Sequence, residues 1–166
     1  MKLGILSDTH NHLGNLKRAL DMLRAAHIKT IIHCGDISTP QTAVYMAGFH
    51  VIYTYGNTDM GMPAIRQQLQ LLNPDNVADF NFSGVLDGVP VAATHSHLPG
   101  IVQELVQSQQ YAYVFHGHTH RRRDEMVGKT RIINPGALGG TRHEHRSICI
   151  VDLSTGSVQF EKIADW

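Results

Sequence analysis

The sequence predicts an α/β fold, of the α+β type, in which two packed β-sheets carry helices on their outer faces. Three observations predict it. Strand-like and helix-like segments alternate through the first two thirds of the chain, which is typical of βα units. The remainder is strand-like, and a Ser154-Thr155-Gly156 turn joins the last two segments as an antiparallel hairpin. Polar residues able to bind metal follow five of the strand-like runs.

The strands are predicted from short apolar runs between turn signals. Five of these runs read as buried strands and cover residues 4–7, 30–35, 51–56, 89–94 and 113–117. We expect further strands at residues 77–82, 85–86, 131–134, 147–153 and 157–163. An Asp87-Gly88 turn follows the second of these.

Four helices are predicted from apolar spacing and from proline at the first turn. Leucines at helical spacing indicate a helix over residues 13–26. A second is expected from Ser38-Thr39-Pro40 to about Gly48. Pro63 and Pro99 are expected to open the third and fourth, each with an apolar stripe that faces the core.

Length and charge narrow the class of protein. A chain of 166 residues is expected to form a single domain over residues 1–166. The formal net charge is zero, so no overall basic field points to nucleic acid or to an anionic membrane. Met1-Lys2 leads straight into a strand without a signal-peptide pattern, and no apolar run approaches the ~20 residues of a membrane span. We therefore expect a cytoplasmic protein, in which Cys34 and Cys149 are buried thiols rather than a disulfide.

The residues that follow the buried strands form the main functional signal. Ligand sites in open α/β sheets lie outside the carboxyl ends of the strands. The side chains delivered there are two aspartates, one asparagine and four histidines, enough to hold two metal ions: Asp8, His10, Asp36, Asn57, His95, His118 and His120.

This set of ligand types predicts a reaction as well as a metal site. Mixed nitrogen and oxygen donors favour Mn, Fe, Zn, Ni or Co over Mg or Ca. Asp36 is the natural bridge, because its two oxygens can serve two cations. Two divalent ions, the carboxylates of Asp8 and Asp36 and one hydroxide leave about one positive charge, which attracts a phosphate. In-line attack by that bridging hydroxide would hydrolyse a phosphoester without a covalent intermediate.

The chain resembles the calcineurin-like metallophosphoesterases in its motif order DxH, GD, GNxD, H and GHxH, which spans Asp8 to His120. Asp8-Thr9-His10-Asn11 and Asn134-Pro135-Gly136 are similar to the small prokaryotic phosphodiesterases of the YfcE type. The resemblance implies a four-layer αββα sandwich, with two mixed β-sheets flanked by helices. It also implies a homodimer or a higher assembly.

The same resemblance implies how the ligands are shared between the two ions. One ion would be held by Asp8, His10, Asp36 and His120. The other would be held by Asp36, Asn57, His95 and His118. We take manganese as the expected metal, with nickel, iron, zinc and cobalt as alternatives.

Two departures from the family pattern carry information. Many members have a histidine where this chain has Thr58, and that histidine acts as a general acid or binds the substrate phosphate. A threonine hydroxyl has no pKa near 7, so we expect weak activity on alkyl monoesters and better activity on diesters with good leaving groups. Ser96 replaces a glycine that relatives often carry, which predicts a tighter or shifted loop after His95.

Other site residues have two interpretations each. Asp59 is expected to orient a ligand or loop, with a plain turn residue as the alternative. His97 is a substitute proton donor, or else a histidine that supports a metal ligand or faces solvent. Asn11 contacts the substrate phosphate or caps a helix, and Thr58 lies at a substrate-binding position. Asp36, Asn57, Asp59 and His97 form the predicted catalytic group.

The remaining histidines and an arginine run are expected to be structural. His33 and His116 alternate with apolar neighbours and predict hydrogen-bonded core residues. His143 and His145 indicate a solvated loop, or alternatively a rim over the site. Arg121-Arg122-Arg123 predicts a solvated turn, with steering of phosphate substrates as the alternative.

We therefore expect a metal-dependent phosphodiesterase that acts on a small or nucleotide-like substrate. A phosphomonoesterase or nucleotide phosphatase with the same metals is one alternative. A non-catalytic scaffold like the retromer subunit of this fold is another, although a scaffold should have substituted ligand positions. A nuclease is disfavoured because the chain lacks a basic stripe and a capping domain, so no stable nucleic-acid binding is expected.

Overall fold

The computed structural model describes residues 1–164, which form four α-helices and eleven strands. The helices are α1 Leu13–Ala25, α2 Pro40–Ala43, α3 Met62–Leu72 and α4 Ile101–Gln107. The first six strands are β1 Lys2–Leu6, β2 Thr30–His33, β3 His50–Thr54, β4 Val77–Asp79, β5 Asn81–Leu86 and β6 Val89–Thr94. The other five are β7 Tyr113–His116, β8 Arg122–Val127, β9 Thr130–Pro135, β10 Ser147–Asp152 and β11 Ser157–Lys162.

The strands of residues 1–164 form two mixed sheets, as predicted. The first sheet has the order β11-β10-β1-β2-β3-β4, and the second has the order β5-β6-β7-β9-β8. In the first sheet β1 to β4 run parallel, and the β10–β11 hairpin joins them antiparallel. In the second sheet β6, β7 and β9 run parallel, and β5 and β8 form antiparallel edges.

Three apolar clusters separate four layers. The first joins α1 and α3 to the outer face of the first sheet and includes Leu20 and Ile31. The second lies between the two sheets and includes Ile5 and Phe115. The third joins α4 to the outer face of the second sheet and includes Val106. Each fully buried side chain of this kind stabilises the fold by about 1.5–3 kcal/mol. The four-layer sandwich implied by the family resemblance is confirmed.

The parallel strands bring the polar residues of the sequence to one place. The carboxyl ends of β1, β2 and β3 meet at one edge of the first sheet, and those of β6 and β7 meet at one edge of the second. Because both faces of each sheet are covered, these strands are mostly apolar and buried, and the predicted metal-binding residues begin where the strands end. The residues that follow them therefore converge where the two edges come together.

One predicted turn is wrong. Arg121-Arg122-Arg123 does not form a solvated turn, because Arg122–Val127 is strand β8, paired antiparallel with β9. Its charged side chains point along an exposed edge, and Asp124 binds Arg131 of β9 at 2.6 Å. Charged side chains are common on edge strands, where they block pairing with other chains. From the sequence alone, this run of charged residues was predicted to be a solvated turn.

Two element boundaries also differ from the sequence prediction. Residues 77–82 do not form one strand, because the chain leaves the first sheet at Asp79 and enters the second at Asn81. The second helix ends at Ala43 and continues only as a 3₁₀ turn, Val44–Met46, since Ala47 turns to an extended ψ of 140°. Both boundaries are set by long-range packing, which cannot be predicted from the local propensities of the residues.

Two smaller observations complete the fold. No helix within residues 1–164 is long and apolar enough to cross a membrane. Cys34 and Cys149 are both free and buried, as expected. Burial raises the pKa of the Cys149 thiol to about 12, so this group stays protonated at neutral pH.

Candidate metal centre

Carboxylate oxygens and imidazole nitrogens from both sheets meet at the shared edge. Asp8 Oδ1 lies 3.2 Å from His120 Nε2. Asp36 Oδ2 lies 3.3 Å from His95 Nε2 and 3.6 Å from His10 Nε2. The Nε2 atoms of His10 and His120 are 3.1 Å apart. Two overlapping groups of donor atoms, each close enough to share one ion, result from this packing.

The two remaining predicted ligands lie beside this cluster. Asn57 Oδ1 is 3.1 Å from His95 Nε2. The His118 ring packs edge-on against that of His95, with centroids 5.1 Å apart. The backbone N–H of His118 also donates to Asp8 Oδ2 at 3.0 Å. The structure thus brings all seven predicted ligand side chains to one place.

In each carboxylate of the cluster, one oxygen is fixed by hydrogen bonds and the other lies close to the histidine Nε2 atoms. Asp8 Oδ2 accepts hydrogen bonds from Ser7 Oγ at 2.5 Å and from the His118 N–H. Asp8 Oδ1 is buried and has no hydrogen-bond partner within residues 1–164. Asp36 Oδ1 accepts from the Thr58 N–H at 2.9 Å. A buried carboxylate oxygen without a partner is costly, and a cation at Asp8 Oδ1 would remove that cost.

The histidines are oriented in the same manner. His95 Nδ1 lies 2.7 Å from the Cys34 carbonyl oxygen, and His120 Nδ1 lies 2.8 Å from the Thr141 carbonyl oxygen. A carbonyl only accepts, so each Nδ1 carries the hydrogen and donates it. The lone pair of each Nε2 is then free to bind an ion, and this arrangement is typical of metal-ligating histidines.

The electrostatics of the cluster favour a cation. Burial acts to raise the pKa of Asp36, but the hydrogen bond and charge of His95, with the Thr58 N–H, hold it below its usual range. Burial acts to lower the pKa of His95, but Asp36 and Asp8 outweigh it and raise that pKa. In the protonated ring, His120 Nε2 would donate a hydrogen bond to Asp8, and this raises the pKa of His120. The site therefore attracts positive charge to the Nε2 positions.

The backbone is strained at most of these residues. Five of the seven have a positive φ: Asp8 at 54°, His10 at 45°, Asp36 at 62°, His118 at 69° and His120 at 57°. Residues other than glycine rarely adopt this left-handed conformation. Such strain costs about 1–3 kcal/mol per residue and concentrates at functional sites.

The glycine before His118 is required by close packing. A Cβ at Gly117 would overlap Ser7 Oγ and would lie 2.7 Å from the Cys34 carbonyl oxygen and 2.8 Å from Asp8 Oδ2. Any side chain here would displace the anchor of Asp8. Close packing therefore explains why this fold needs a glycine at this position of the GHxH motif.

Comparison with known proteins identifies the family. The model of the calcineurin-like phosphoesterase superfamily domain matches residues 1–156. The chain belongs to this family. Its sequence is 34% identical over 142 residues to Phosphodiesterase MJ0936 of Methanocaldococcus jannaschii, across 84% of this chain and 86% of that protein.

Solved structures agree with this assignment. A structure described as a novel archaeal phosphodiesterase superposes with a TM-score of 0.92 and 31% identity, covering 98% of this chain and 99% of that one. YfcE, a phosphoesterase from E. coli, superposes with a TM-score of 0.69 over 99% of this chain and 100% of its own. At 18% identity, the likeness to YfcE is one of fold.

The Asp59 carboxylate connects the loop that carries Asp36 to the loop that carries Asn57. Its carboxylate accepts from the N–H groups of Asp36 at 3.2 Å, Ser38 at 2.9 Å and Gly56 at 2.7 Å. The Tyr53 hydroxyl donates to it at 2.5 Å. The side chain is buried, so these four bonds are shielded from water. Its contacts are thus with the backbone that aims Asp36.

Asp59→Asn is expected to weaken both the fold and the metal centre. The amide would place N–H hydrogens against N–H donors, leaving buried groups unpaired. We expect the free energy of unfolding to fall by about 2–4 kcal/mol and metal affinity to fall roughly 10–100-fold. Urea unfolding and calorimetric titration with Mn²⁺ measure these. Tyr53→Phe removes the hydroxyl that donates to Asp59 and accepts from the Ile37 N–H, but it keeps the carboxylate and its bonds to the backbone, so stability should fall by about 1–3 kcal/mol and metal affinity much less than in Asp59→Asn. Equal losses of metal affinity in the two variants would contradict the assignment.

Ser96 takes the conformation that a glycine would have at this position. Its φ is 75°, and its Oγ donates to the Gly117 carbonyl oxygen at 3.2 Å. The hydroxyl thereby links the loop after His95 to the loop before His118. His95 still reaches Asp36, so the substitution is accommodated without loss of the ligand's position.

The predicted proton donor lies next to the cluster. The His97 ring centroid is 5.5 Å from that of His95 and 6.5 Å from that of His118. His97 Nδ1 is buried, with no hydrogen-bond partner in the described part of the chain. Burial, together with the charges of His95 and His118, lowers the pKa of His97.

The two predicted substrate-binding residues have defined neighbours. Asn11 Oδ1 accepts from the Thr39 hydroxyl at 3.0 Å and from the Thr42 hydroxyl at 2.7 Å. Asn11 does not cap α1, because His12 is the capping residue, so the alternative interpretation of Asn11 is wrong. The Thr58 hydroxyl lies 3.5 Å from His10 Nδ1.

Sequence reasoning missed the segment Gly139–Thr141. The Thr141 carbonyl oxygen orients His120, and the backbone of Gly140 packs against the rings of both His10 and His120. Arg146 donates to the carbonyl oxygens of Gly139 and Gly140, which fixes the segment. The Gly-Gly pair that follows Asn134-Pro135-Gly136 was the available signal. His143, at the surface, lies with its ring centroid 6.2 Å from that of His120.

His33 is a core residue, as predicted, and makes stability depend on pH. Its Nε2 lies 2.8 Å from the Thr9 hydroxyl, and burial lowers the pKa of the ring to about 4. The unfolded chain takes up a proton near pH 6.5, whereas the folded chain does not until about pH 4. Stability from this group is therefore complete above about pH 6.5 and is lost as the pH falls towards 4, by roughly 3 kcal/mol in all.

This expectation is tested by urea unfolding of chelator-treated protein at about pH 7.5 and about pH 5. Wild type should lose about 2 kcal/mol more than His33→Asn between these two values. Asparagine keeps a hydrogen-bonding group near Thr9 but does not titrate. The histidines proposed to bind metal are common to both proteins, so their contribution cancels in the difference. Parallel losses in the two proteins would contradict the assignment.

Proposed function

We propose that the protein is a phosphodiesterase that uses two divalent metal ions to hydrolyse small or nucleotide-like phosphodiesters. The observation that carries the proposal is the buried, unpaired Asp8 Oδ1 surrounded by Nε2 atoms whose rings are fixed through Nδ1. The membership of the family supports hydrolysis of a phosphoester. The relative named as a phosphodiesterase supports a diester as the substrate.

The donor set fits two ions in the proposed assignment. One would be held by Asp8, His10, Asp36 and His120, and the other by Asp36, Asn57, His95 and His118. When bound, such ions polarise phosphoryl oxygens and make water nucleophilic near neutral pH. Mixed nitrogen and oxygen donors make manganese the expected metal, with nickel, iron, zinc and cobalt as alternatives.

The chain's own residues would position the substrate. The low pKa of Asp36 keeps its bridging carboxylate ionised at neutral pH, and Asp59 holds the backbone that aims it. The Asn11 oxygen is held by two hydroxyls, which leaves its amide N–H groups to donate to a phosphate oxygen. The Thr58 hydroxyl lies beside His10, where it would contact the same phosphate. His97 is the alternative source of a proton for the leaving group, but its lowered pKa leaves it mostly neutral at pH 7, so it would be a weak donor.

The substrate preference follows from Thr58. A general acid contributes about 10²–10⁴-fold to rate, and a threonine hydroxyl cannot serve as one at neutral pH. Leaving groups that need a proton should therefore react slowly. We expect a bis-aryl phosphodiester to be hydrolysed at least about 100-fold faster than an alkyl phosphomonoester. Initial rates on both substrates, with manganese present, measure this ratio.

Variants at Thr58 sharpen the test. Thr58→His should raise the alkyl monoester rate while leaving the aryl diester rate within a few-fold. Thr155→His, in the exposed turn between β10 and β11, is the matched control and should change neither rate. If wild type hydrolyses alkyl monoesters faster than aryl diesters, the phosphomonoesterase alternative replaces the proposal.

The proposal also includes the localisation of the protein, its assembly and its lack of nucleic-acid binding. We place the enzyme in the cytoplasm, as a homodimer or higher assembly without stable binding to nucleic acid. A formal net charge of zero supports the last point. Light scattering after size exclusion measures the assembly, and a gel-shift assay at low salt measures binding to DNA and RNA.

A further inference from the structure

One edge strand of the second sheet lacks the features that normally prevent pairing with another chain. Within residues 1–164 the two sheets end in four edge strands, β4, β5, β8 and β11. Strand β4 is only three residues long, and β8 and β11 carry charged side chains. Short length and charge both protect an edge. Strand β5, Asn81–Leu86, has six residues and none of them is charged. Its free edge is therefore open to pairing.

The backbone groups of alternate β5 residues point to this free edge. The register of the β5–β6 hairpin places Val85 opposite Pro90. Proline has no N–H, and the Pro90 carbonyl oxygen accepts from the Ala112 N–H at 2.8 Å, on the side of β7. The N–H and C=O of Val85 therefore point away from β6, and the alternation of an antiparallel ladder gives Asn81 and Ser83 the same direction. Within residues 1–164 no other strand, loop or side chain hydrogen-bonds to these groups.

The same edge is accessible and has apolar side chains beside it. Val85 is 67% exposed, and Asn81 and Ser83 are exposed as well. Phe80, which precedes the strand, is 46% exposed although its ring packs against Tyr55 with centroids 5.4 Å apart. Exposed apolar side chains beside unpaired N–H and C=O groups suit the addition of a further strand to the sheet.

The pattern of β5 favours a second copy of the same strand as the partner. A two-fold axis centred on Ser83 pairs β5 antiparallel with itself, so that Ser83 faces Ser83 and Asn81 faces Val85. All of the outward backbone groups then find partners, in about six hydrogen bonds. The same register sets Phe80 of one copy opposite Leu86 of the other. No two charged side chains face each other between residues 80 and 86.

Strand β8, at the other edge of the same sheet, does not suit this pairing. A two-fold axis at its middle would bring Asp124 or Glu125 opposite its own copy, and like charges directly opposite destabilise an antiparallel pair. In β5 the nearest charged residues are Asp79 and Asp87. Both lie outside the paired segment, the first in the other sheet and the second in the hairpin turn.

We propose that two copies of the chain associate through their β5 strands, which joins their second sheets into one continuous sheet. The proposal rests on the proposed homodimer and names the surface that forms it. None of the seven proposed metal ligands lies in residues 80–86, so association and hydrolysis can be measured separately.

Cysteine variants test the register. Facing Cα atoms in a hydrogen-bonded antiparallel pair are about 5.5 Å apart, which a disulfide can bridge. We expect Ser83→Cys to form an intermolecular disulfide under mild oxidation, because position 83 faces itself across the axis. Val85→Cys is the matched control and should stay unlinked, because position 85 faces position 81. The native Cys34 and Cys149 are buried and should not react. Linking of both variants alike, or of neither, would overturn the proposal.

Proline variants test whether this edge holds the copies together. Val85→Pro removes an outward N–H from each copy and should raise the dissociation constant of the dimer about 100-fold, measured by analytical ultracentrifugation over a range of concentrations. Met126→Pro is the matched control, because Met126 is 58% exposed and is likewise the last residue but one of an edge strand, β8. This variant should dimerise as wild type does.

A lysine pair keeps the test decisive if Val85→Pro does not fold. Ser83→Lys would set two like charges opposite each other across the axis and should also yield monomers, whereas Met126→Lys should not. A wild type that is monomeric at every concentration would overturn both this proposal and the homodimer. A dissociation constant that Val85→Pro and Ser83→Lys leave unchanged would overturn the β5 surface alone. The aryl diester rate per chain, with manganese present, tests the proposed enzyme independently of either result.

Discussion

Asp36→Asn is expected to reduce phosphodiester hydrolysis by about 10³-fold and to lower the metal content of the purified protein. Asp36 Oδ2 lies 3.3 Å from His95 Nε2 and 3.6 Å from His10 Nε2, so it is close to one proposed ligand of each ion. Asparagine keeps the shape and the contact with Thr58 but removes the charge that a bridge supplies. Metal ions stabilise transition-state charge by several kcal/mol, and about 1.4 kcal/mol corresponds to tenfold in rate.

The control for this variant is another aspartate changed in the same manner. Asp21→Asn lies on α1, where Asp21 pairs with Arg24 at the surface, and should leave rate and metal content unchanged. Elemental analysis and initial rates measure both quantities. An Asp36→Asn protein that keeps half of the wild-type rate would rule out Asp36 as a bridging ligand.

Gly140→Ala is expected to weaken metal binding about 100-fold, although Gly140 is itself no ligand. A Cβ at this position would lie 2.5 Å from His10 Cδ2 and 2.6 Å from His120 Cε1. Both rings would have to move, and with them two of the proposed donors to one ion. Competition with a metal-binding dye measures the affinity, and the aryl diester rate should fall with it.

Gly48→Ala separates crowding from backbone strain. Gly48 has a φ of 86°, against 63° for Gly140, so alanine is strained at both positions. No atom lies within 4 Å of a Cβ built at Gly48 among the described residues. Gly48→Ala should lose about 1 kcal/mol of stability from backbone strain alone and keep its metal affinity, whereas Gly140→Ala should lose more stability, because the clash adds to the strain, and should lose metal affinity. Equal metal affinities would show that Gly140 does not position the histidines.

The sheet edge that forms the site was predictable because the strands that lead to it are buried on both faces. In such strands polarity begins abruptly, as at Asp8 after Gly4–Ser7 and at His118 after β7. The order of these motifs is visible in the sequence itself, and it identifies the family. The fold class and the assembled donor cluster followed from this pattern.

The structural features that could not be predicted from the sequence depend on contacts between distant residues. Strand β8 was missed because its charges are stabilised by pairing at an edge, through Asp124 and Arg131. The change of sheet at Phe80 was missed because a single residue redirects an otherwise strand-like run. Thr141 orients His120 from 21 residues away, and no local pattern marks a carbonyl oxygen for that purpose.

His116 illustrates the same limit. Alternation with apolar neighbours predicted a hydrogen-bonded core residue, and the histidine is indeed buried, with its Nδ1 beside the Gly117 carbonyl oxygen. The pattern could not show that Nε2 lacks a hydrogen-bond partner, because that depends on how distant elements pack around the ring.

The most direct test of the two-metal phosphodiesterase is a titration of metal-free protein with Mn²⁺ while bound metal and hydrolysis of an aryl phosphodiester are recorded together. Chelator should first abolish activity. We predict that activity then returns as two ions bind per chain, and that His120→Ala neither binds the full complement nor recovers activity. Full activity in the presence of chelator, or two bound ions with no hydrolysis by any of Mn²⁺, Ni²⁺, Co²⁺ or Zn²⁺, would contradict the account and would favour a binding protein instead.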